Sequence, residues 1–277
     1  MATQPLTLLQ AADALGVHYM TAYRYVRTGR LPAKRVGGAW QVDPGDLELV
    51  RRDASGARRP RPTGPAPSRS RLQARLVAGD EPGAWSLLEA ALASGMTPDE
   101  VLLELVAPTL SAIGTDWERG RLSIADEHRA SAVAARLISR LGARFARRGV
   151  KRGTVILAAP SGERHAAPVA IAANLLRWRG FDVVELGADT PAEALAEAVV
   201  TEPDLMAVGI ACTTEGTSRA ARRAVAMVRR SLPGVPILLG GADISDTEHA
   251  RRLGADVFTG RRADEVVRAV ESLVGNG

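Results

Sequence analysis

The chain has 277 residues, room for two or three compact domains, and its 46% hydrophobic and 24% charged content is an ordinary globular balance. One cysteine, Cys212, excludes a disulfide framework and a cysteine-based zinc site; with no long apolar run and no basic-then-apolar leader, a soluble cytoplasmic protein without a membrane partner is expected. Net charge is +5 but unevenly shared: residues 1–75 hold 13 Lys and Arg against 5 Asp and Glu, while residues 76–277 hold 23 against 26, so one end suits a polyanion.

In chain order, a short helix is expected over Leu6–Leu15, with Leu8, Leu9, Ala12 and Leu15 on one face and Gly16 breaking it. A second helix runs through Tyr19 to Arg27 and stops at Gly29. Lys34–Val42 reads as two short strands around Gly37-Gly38, and Asp46–Val50 begins a last short helix. Residues 1–52 thus form a winged helix-turn-helix head. Residues 53–71, DASGARRPRPTGPAPSRSR, keep no apolar period and are expected to be an extended, self-repelling linker. Four helical pieces follow, Leu72–Ala78, Pro82–Ala93, Pro98–Glu118 and Ile124–Arg147, with Pro82 and Pro98 near helix starts, where a missing N–H costs little. They predict a four-helix bundle over 72–150.

From residue 154 the period changes. Short apolar runs at Thr154–Ala159, Val183–Leu186, Leu205–Ala211, Ile237–Leu239 and Asp256–Phe258 alternate with amphipathic stretches. A parallel crossover needs a helix between strands, so residues 151–277 predict a flavodoxin-like Rossmann domain with a five-stranded parallel sheet. Ligands of such sheets bind at the carboxyl ends of the strands. Those positions hold Glu163-Arg164-His165-Ala166-Ala167-Pro168, then Ala211-Cys212-Thr213-Thr214, then Gly240-Gly241. Taken one at a time, a loop histidine also reads as polar surface, and a Gly-Gly pair as an ordinary turn.

Together the three elements resemble the cobalamin-binding Rossmann domain of methionine synthase and the mutases, which carries Asp-x-His-x-x-Gly, then Ser-x-Leu, then Gly-Gly. Here 42 residues separate Pro168 from Ala211 and 26 separate Thr213 from Gly240, closely matching the family spacing. Glu163 replaces Asp, Pro168 replaces Gly, Ala211 replaces Ser and Thr213 replaces Leu. The resemblance implies that His165 ligates cobalt from below, displacing the cofactor's benzimidazole, and that Glu163 orients the imidazole. Thr213 or Thr214 would meet the nucleotide tail, with Gly240 and Gly241 admitting it close to the backbone.

The helical block contains Trp117 with Glu127 and His128 ten and eleven residues on, which is similar to the cobalamin cap of the CarH/LitR group of light-sensing regulators. This implies that Trp117 covers the upper cobalt ligand while Glu127, beside His128, meets ribose hydroxyls. Glu118 stands where that group commonly has a histidine able to reach cobalt, and a carboxylate is a poorer partner for low-spin Co(III). The head resembles the MerR/excisionase type. Its second helix would then enter the major groove with Tyr19, Thr21, Tyr23 and Arg24, while Arg27, Lys34 and Arg35 meet phosphates. The whole implies a non-enzymatic repressor dependent on adenosylcobalamin, responsive to light, acting on operator DNA as a dimer or tetramer. The alternatives are a light-independent sensor of cobalamin or another tetrapyrrole and, with the basic head arguing against it, a corrinoid methyl carrier.

Overall fold

The computed structural model describes residues 5–15, 17, 19–27, 31–37, 39–47, 68–145 and 151–274, and the chain divides into two compact units, residues 1–63 and 64–277. The side chains of Arg24 and Arg27, most of the expected linker and the end of the last head helix lie outside the described residues.

In the first unit, β1 (Leu6–Thr7) leads directly into α1 (Leu8–Leu15). The helix opens two residues later than its apolar pattern suggests because Thr7 caps it. The Thr7 hydroxyl accepts from the Gln10 N–H at 3.3 Å, and the Gln10 side-chain carbonyl accepts from the Thr7 N–H at 2.9 Å. After α2 (Tyr19–Arg27), β2 (Lys34–Val36) pairs antiparallel with β3 (Ala39–Val42), and β3 also pairs with β1. The small core is Leu8, Ala11, Ala12, Ala22, Leu31, Val42 and Leu47.

The second unit opens with four helices: α3 (Arg69–Ala78), α4 (Glu81–Ala93), α5 over 98–118 and α6 (Ile124–Gly142). Their starts are set by caps rather than by the first apolar residue. The Ser68 hydroxyl accepts from Arg71 N–H at 3.2 Å, the Asp80 carboxylate from Gly83 N–H at 2.9 Å, and capping boxes join Thr97 to Glu100 and Ser123 to Asp126.

Helix α5 is not uniform. Pro98–Glu100 gives way to a π-helical turn, Val101–Val106, before Ala107–Glu118 continues as α-helix. Pro108 has no N–H to offer a carbonyl one turn back, and the wider turn absorbs the misfit. The Glu104 carbonyl instead accepts a 2.7 Å hydrogen bond from Arg69 Nε on α3.

The rest is a doubly wound sheet. Its elements are β4 (Thr154–Pro160), α7 (Ala167–Trp178), β5 (Asp182–Thr190), α8 (Ala192–Thr201), β6 (Leu205–Ala211), α9 (Ser218–Ser231), β7 (Ile237–Gly240), α10 (Thr247–Arg252), β8 (Val257–Phe258) and α11 (Ala263–Val274). The strands are parallel in the order β5-β4-β6-β7-β8, the flavodoxin-like order, so the chain reverses direction across the sheet between β4 and β6. Edge strand β5 outruns its apolar segment by four residues, because an edge can be half-exposed and still complete its ladder on one side.

One continuous core joins the bundle residues Leu76, Leu88, Leu102 and Leu137 to Leu175 and Leu176 of α7, and Val267 and Val270 of α11, on one sheet face. Helices α8, α9 and α10 cover the other face through Leu195, Val199, Ala221, Val228 and Ala250. Among the described residues no helix is long and apolar enough to cross a membrane.

The bundle is held to the sheet by specific contacts as well as by area. Phe145, fully buried, meets Trp178 edge-on at 5.9 Å, and buried Asn174 donates to the Ile138 carbonyl at 3.3 Å. Phe145→Ala should therefore cost about 3–5 kcal/mol. A urea titration should show a lower midpoint with an unchanged slope; an unchanged midpoint would mean the two layers do not depend on this contact.

Candidate functional site

The site is built where the sheet reverses, at the carboxyl ends of β4 and β6. The loop after β4 carries Glu163 and His165, and the loop after β6 carries Thr213 and Thr214. Glu163 is 0% exposed, yet its carboxylate accepts six hydrogen bonds. Oε1 receives the His165 N–H at 3.0 Å, His165 Nδ1 at 2.7 Å and the Thr214 hydroxyl at 2.9 Å. Oε2 receives the N–H groups of Thr213 and Thr214 at 2.6 Å each and the Thr213 hydroxyl at 2.7 Å. The loop is braced from below by Asp189, a non-glycine residue in the left-handed region at φ 52°. Its carboxylate accepts from Gly162 N–H at 2.7 Å and its own N–H donates to the Glu163 carbonyl at 2.8 Å.

Burial alone would raise the Glu163 carboxyl, but the hydrogen bonds from His165, Thr214 and Thr213 together hold it well below the usual carboxylate range. For His165 the largest influence is its hydrogen bond to Glu163, which raises its pKa; burial opposes, and the charges of Glu163 and Glu127 add to the rise. Because Nδ1 is turned to Glu163, Nε2 is the nitrogen available to a ligand, on a ring whose side chain is 59% exposed.

Beside this pair lies a small cleft of about 100 Å³, apolar along Leu157, Ala158, Val169 and Ala172 and bounded by Gly240-Gly241 and Thr259-Gly260. Thr213 belongs both to this cleft and to the Glu163 network, whereas the Thr214 hydroxyl is committed to the carboxylate and imidazole. Pro168, which replaces a motif glycine, sits in the first turn of α7, where it forfeits no helix bond, and lines the cleft. The glycine requirement at 240 and 241 is internal to the protein: a Cβ at Gly240 would overlap Thr259 and the Gly260 carbonyl, and one at Gly241, whose φ is +113°, would overlap the Cys212 backbone. Cys212 is fully buried, and burial pushes its thiol up to about 12, so it packs rather than reacts. The cleft residues Gly209, Thr259, Gly260 and Arg261 were not singled out from the sequence, although Thr259 and Gly260 follow the last strand and so stood on the ligand-binding edge.

The cap residues approach from the bundle. Trp117 lies in the last turn of α5 and is 45% exposed; Gly120, left-handed at φ 69°, then turns the chain towards α6. Glu127 ends the first turn of α6 and His128 opens the second. The Glu127 carboxylate meets His128 Nδ1 at 2.7 Å and accepts from the Ser131 hydroxyl at 2.6 Å, and its charge is felt by His165. Glu118 is exposed. Among the described residues no group of three or more His, Cys, Asp or Glu is placed to hold a bare metal ion.

In the head, Tyr19 is exposed at the start of α2, Thr21 is half-buried, and Tyr23 packs against the head core. Lys34 and Arg35 are exposed on β2, and the Arg35 guanidinium lies 6.0 Å from the centre of the Trp40 ring.

Two family models, each described as a B12 binding domain, match residues 69–141 and 153–270, and a helix-turn-helix domain model matches residues 6–53. The chain thus carries a helix-turn-helix domain followed by two B12 binding domains. It is 35% identical over 196 residues to the HTH-type transcriptional repressor CarH of Myxococcus xanthus, covering 69% of this chain and 64% of that relative, so it spans less than two thirds of the repressor's length. It is 26% identical over 208 residues to trimethylamine corrinoid protein 2 of Methanosarcina acetivorans, covering 70% of this chain and 91% of that one. The solved structure of the Methanosarcina barkeri monomethylamine corrinoid protein shares the fold, with a TM-score of 0.61 at 18% identity over 73% of this chain and 96% of that one.

The Glu163–His165 pair makes a direct prediction. The His165 contribution to stability is fully present below the ordinary imidazole value of 6.5 and is lost as pH rises through its raised value. The Glu163 contribution is present above the ordinary carboxylate value of 4.5 and is lost only as pH falls through its depressed value. In the ligand-free protein, NMR titration of His165 should give a pKa above 6.5, and Glu163→Gln should bring it down. If the two titrations coincide, the carboxylate does not hold the ring.

Proposed function

We propose that this chain is a cobalamin-dependent, non-enzymatic transcription repressor that responds to light and binds operator DNA in the cytoplasm as a dimer or tetramer. The observation that carries the reading is a single imidazole, His165, pinned through Nδ1 by a buried carboxylate beside an apolar cleft, in a chain that also holds a helix-turn-helix head. Adenosylcobalamin, when bound, would supply a light-sensitive cobalt–carbon bond. His165 would present Nε2 to the cofactor's cobalt, with Glu163 setting its tautomer. The cleft bounded by Thr213, Gly240 and Gly241 would hold the nucleotide tail. The exposed ring of Trp117 would pack against the bound cofactor, and Glu127, with His128 beside it, would meet ribose hydroxyls. A change in what packs against Trp117 and Glu127 would let the bundle shift against the sheet, a two-state element biased by a local event.

Glu118 favours a second reading. Next to Trp117 it offers a carboxylate instead of an imidazole, so the upper side has no strong nitrogen donor at that position, which suits a regulator that senses cobalamin itself. A methyl carrier, the third class, leaves the basic head without a role.

Absorption spectra with adenosylcobalamin, before and after green light, test the reading. The native chain should bind with the signature of histidine ligation and change spectrum and oligomeric state on illumination, whereas His165→Ala should bind weakly and lack that signature. Binding without a light response would select the second reading. Retention of the histidine signature in His165→Ala would remove His165 from the site. Illuminated Glu118→His should gain a more stable histidine-ligated spectrum than the native chain.

DNA binding is tested separately. Lys34→Ala or Arg35→Ala should weaken binding on all sequences alike and make the dependence on log salt shallower by about 0.9 for each phosphate left without its cation. Equal binding by the native chain and both variants would argue against β2 as a DNA-binding element.

A further inference from the structure

Helix α9 (Ser218–Ser231) has five arginines, Arg219, Arg222, Arg223, Arg229 and Arg230, and no acidic residue. This is unusual within a body where acidic residues outnumber basic ones over 76–277. Its apolar side, Ala221, Ala224, Val225 and Val228, is buried against the sheet face opposite the bundle. Helical spacing therefore places Arg219, Arg222, Arg223 and Arg230, with the small Ala226 between them, on one outward stripe. Arg223 pairs with Glu193 of α8, and Arg229 turns aside to Asp256. Among the described residues Arg219, Arg222 and Arg230 form no ion pair. A groove of about 760 Å³ between α8 and α9, lined by Ser161, Glu193, Arg219, Arg222 and Arg223, runs along the upper part of the stripe.

We propose that this outer face of the second unit is a phosphate-binding surface that meets the phosphodiester backbone of duplex DNA. The proposal rests on the reading that the chain acts on DNA through its head. Unpaired guanidinia stay exposed at the cost of mutual repulsion, which a polyanion relieves, and their planar donor forks match phosphate oxygens. A linear ligand fits better than a compact one. From Arg219 to Arg230 the stripe runs about 16 Å at 1.5 Å per residue, whereas a single phosphate would engage one end only. Successive phosphates advance about 3.4 Å along the axis of one strand, so the stripe is long enough to face more than one of them. Glu193 is the internal competitor, holding Arg223 where a phosphate would otherwise sit. Phosphate binding of this kind adds affinity without reading sequence.

The test uses the full chain and a generic DNA duplex, with binding measured across a salt series. Arg219→Gln, Arg222→Gln and Arg230→Gln combined should make the slope of log affinity against log salt shallower by about 2 to 3, at roughly 0.9 per phosphate. Binding should weaken equally on every sequence, with the urea midpoint and the cobalamin spectrum unchanged. Glu193→Gln, which frees Arg223, should strengthen binding. An unchanged slope in the triple variant, alongside a shallower slope in Lys34→Ala, would overturn this surface and leave the head reading intact. Unchanged slopes in both would overturn the DNA reading itself, and this proposal with it.

Discussion

A carboxylate with no exposure to water organises the site. An ionised Glu163 away from solvent would be costly in isolation, and neutralising it would abandon the imidazole; six donors from two loops offset that cost. Two of the donors come from His165 in the loop after β4, and the other four from Thr213 and Thr214 in the loop after β6. The carboxylate is therefore a clamp across the point where strand order reverses as well as an anchor for His165. The backbone N–H groups of Thr213 and Thr214 are available to it only because β4 and β6 are adjacent in the sheet. Changing Glu163 would alter the imidazole's proton affinity and loosen both loops.

The second constraint is the absence of a seam between bundle and sheet. Their side chains form one core, so Trp117 and Glu127 are carried by helices whose inner faces belong to the same packed layer as α7. This is how a carboxylate on α6 comes close enough to influence an imidazole on the β4 loop. Phe145 against Trp178, and Asn174 against Ile138, resist sliding of α6 over α7. A signal that moves the cap must work against those interactions. The π-helical turn in α5 locally widens the helix that carries Trp117, and Arg69 fixes it by taking the one carbonyl that Pro108 cannot serve.

Fold class and much of the site were legible along the chain because they rest on local signals. Five apolar runs separated by helical lengths point to a parallel sheet, and His165, Thr213 and Gly240-Gly241 all fall at or directly after the ends of strands. Less legible were features that depend on an exact partner. Strand β1 has two residues and exists only because β3 lies beside it. Helices α3 and α4 begin before their apolar stripes because Ser68 and Asp80 reach forward to backbone N–H groups. Pro108 was visible in the sequence, and its consequence, a π turn rather than a break, depended on Arg69 of another helix.

By itself, then, the sequence determined the order of elements, the basic head, and the spacing that sets an imidazole, a threonine pair and two glycines at or just after the ends of three of the strands. These follow from hydrophobic period and residue type, which act over a few neighbours. Only the tertiary structure decided that Glu163 is buried and shared between two loops, that Thr214 serves the carboxylate while Thr213 also faces the cleft, and that the glycines at 240 and 241 make room for the protein's own backbone. It likewise decided which of the α9 arginines find a carboxylate, Arg223 at Glu193 and Arg229 at Asp256. Each of these depends on which segments the sheet brings side by side, and residues some fifty positions apart meet only after the strands between them have paired.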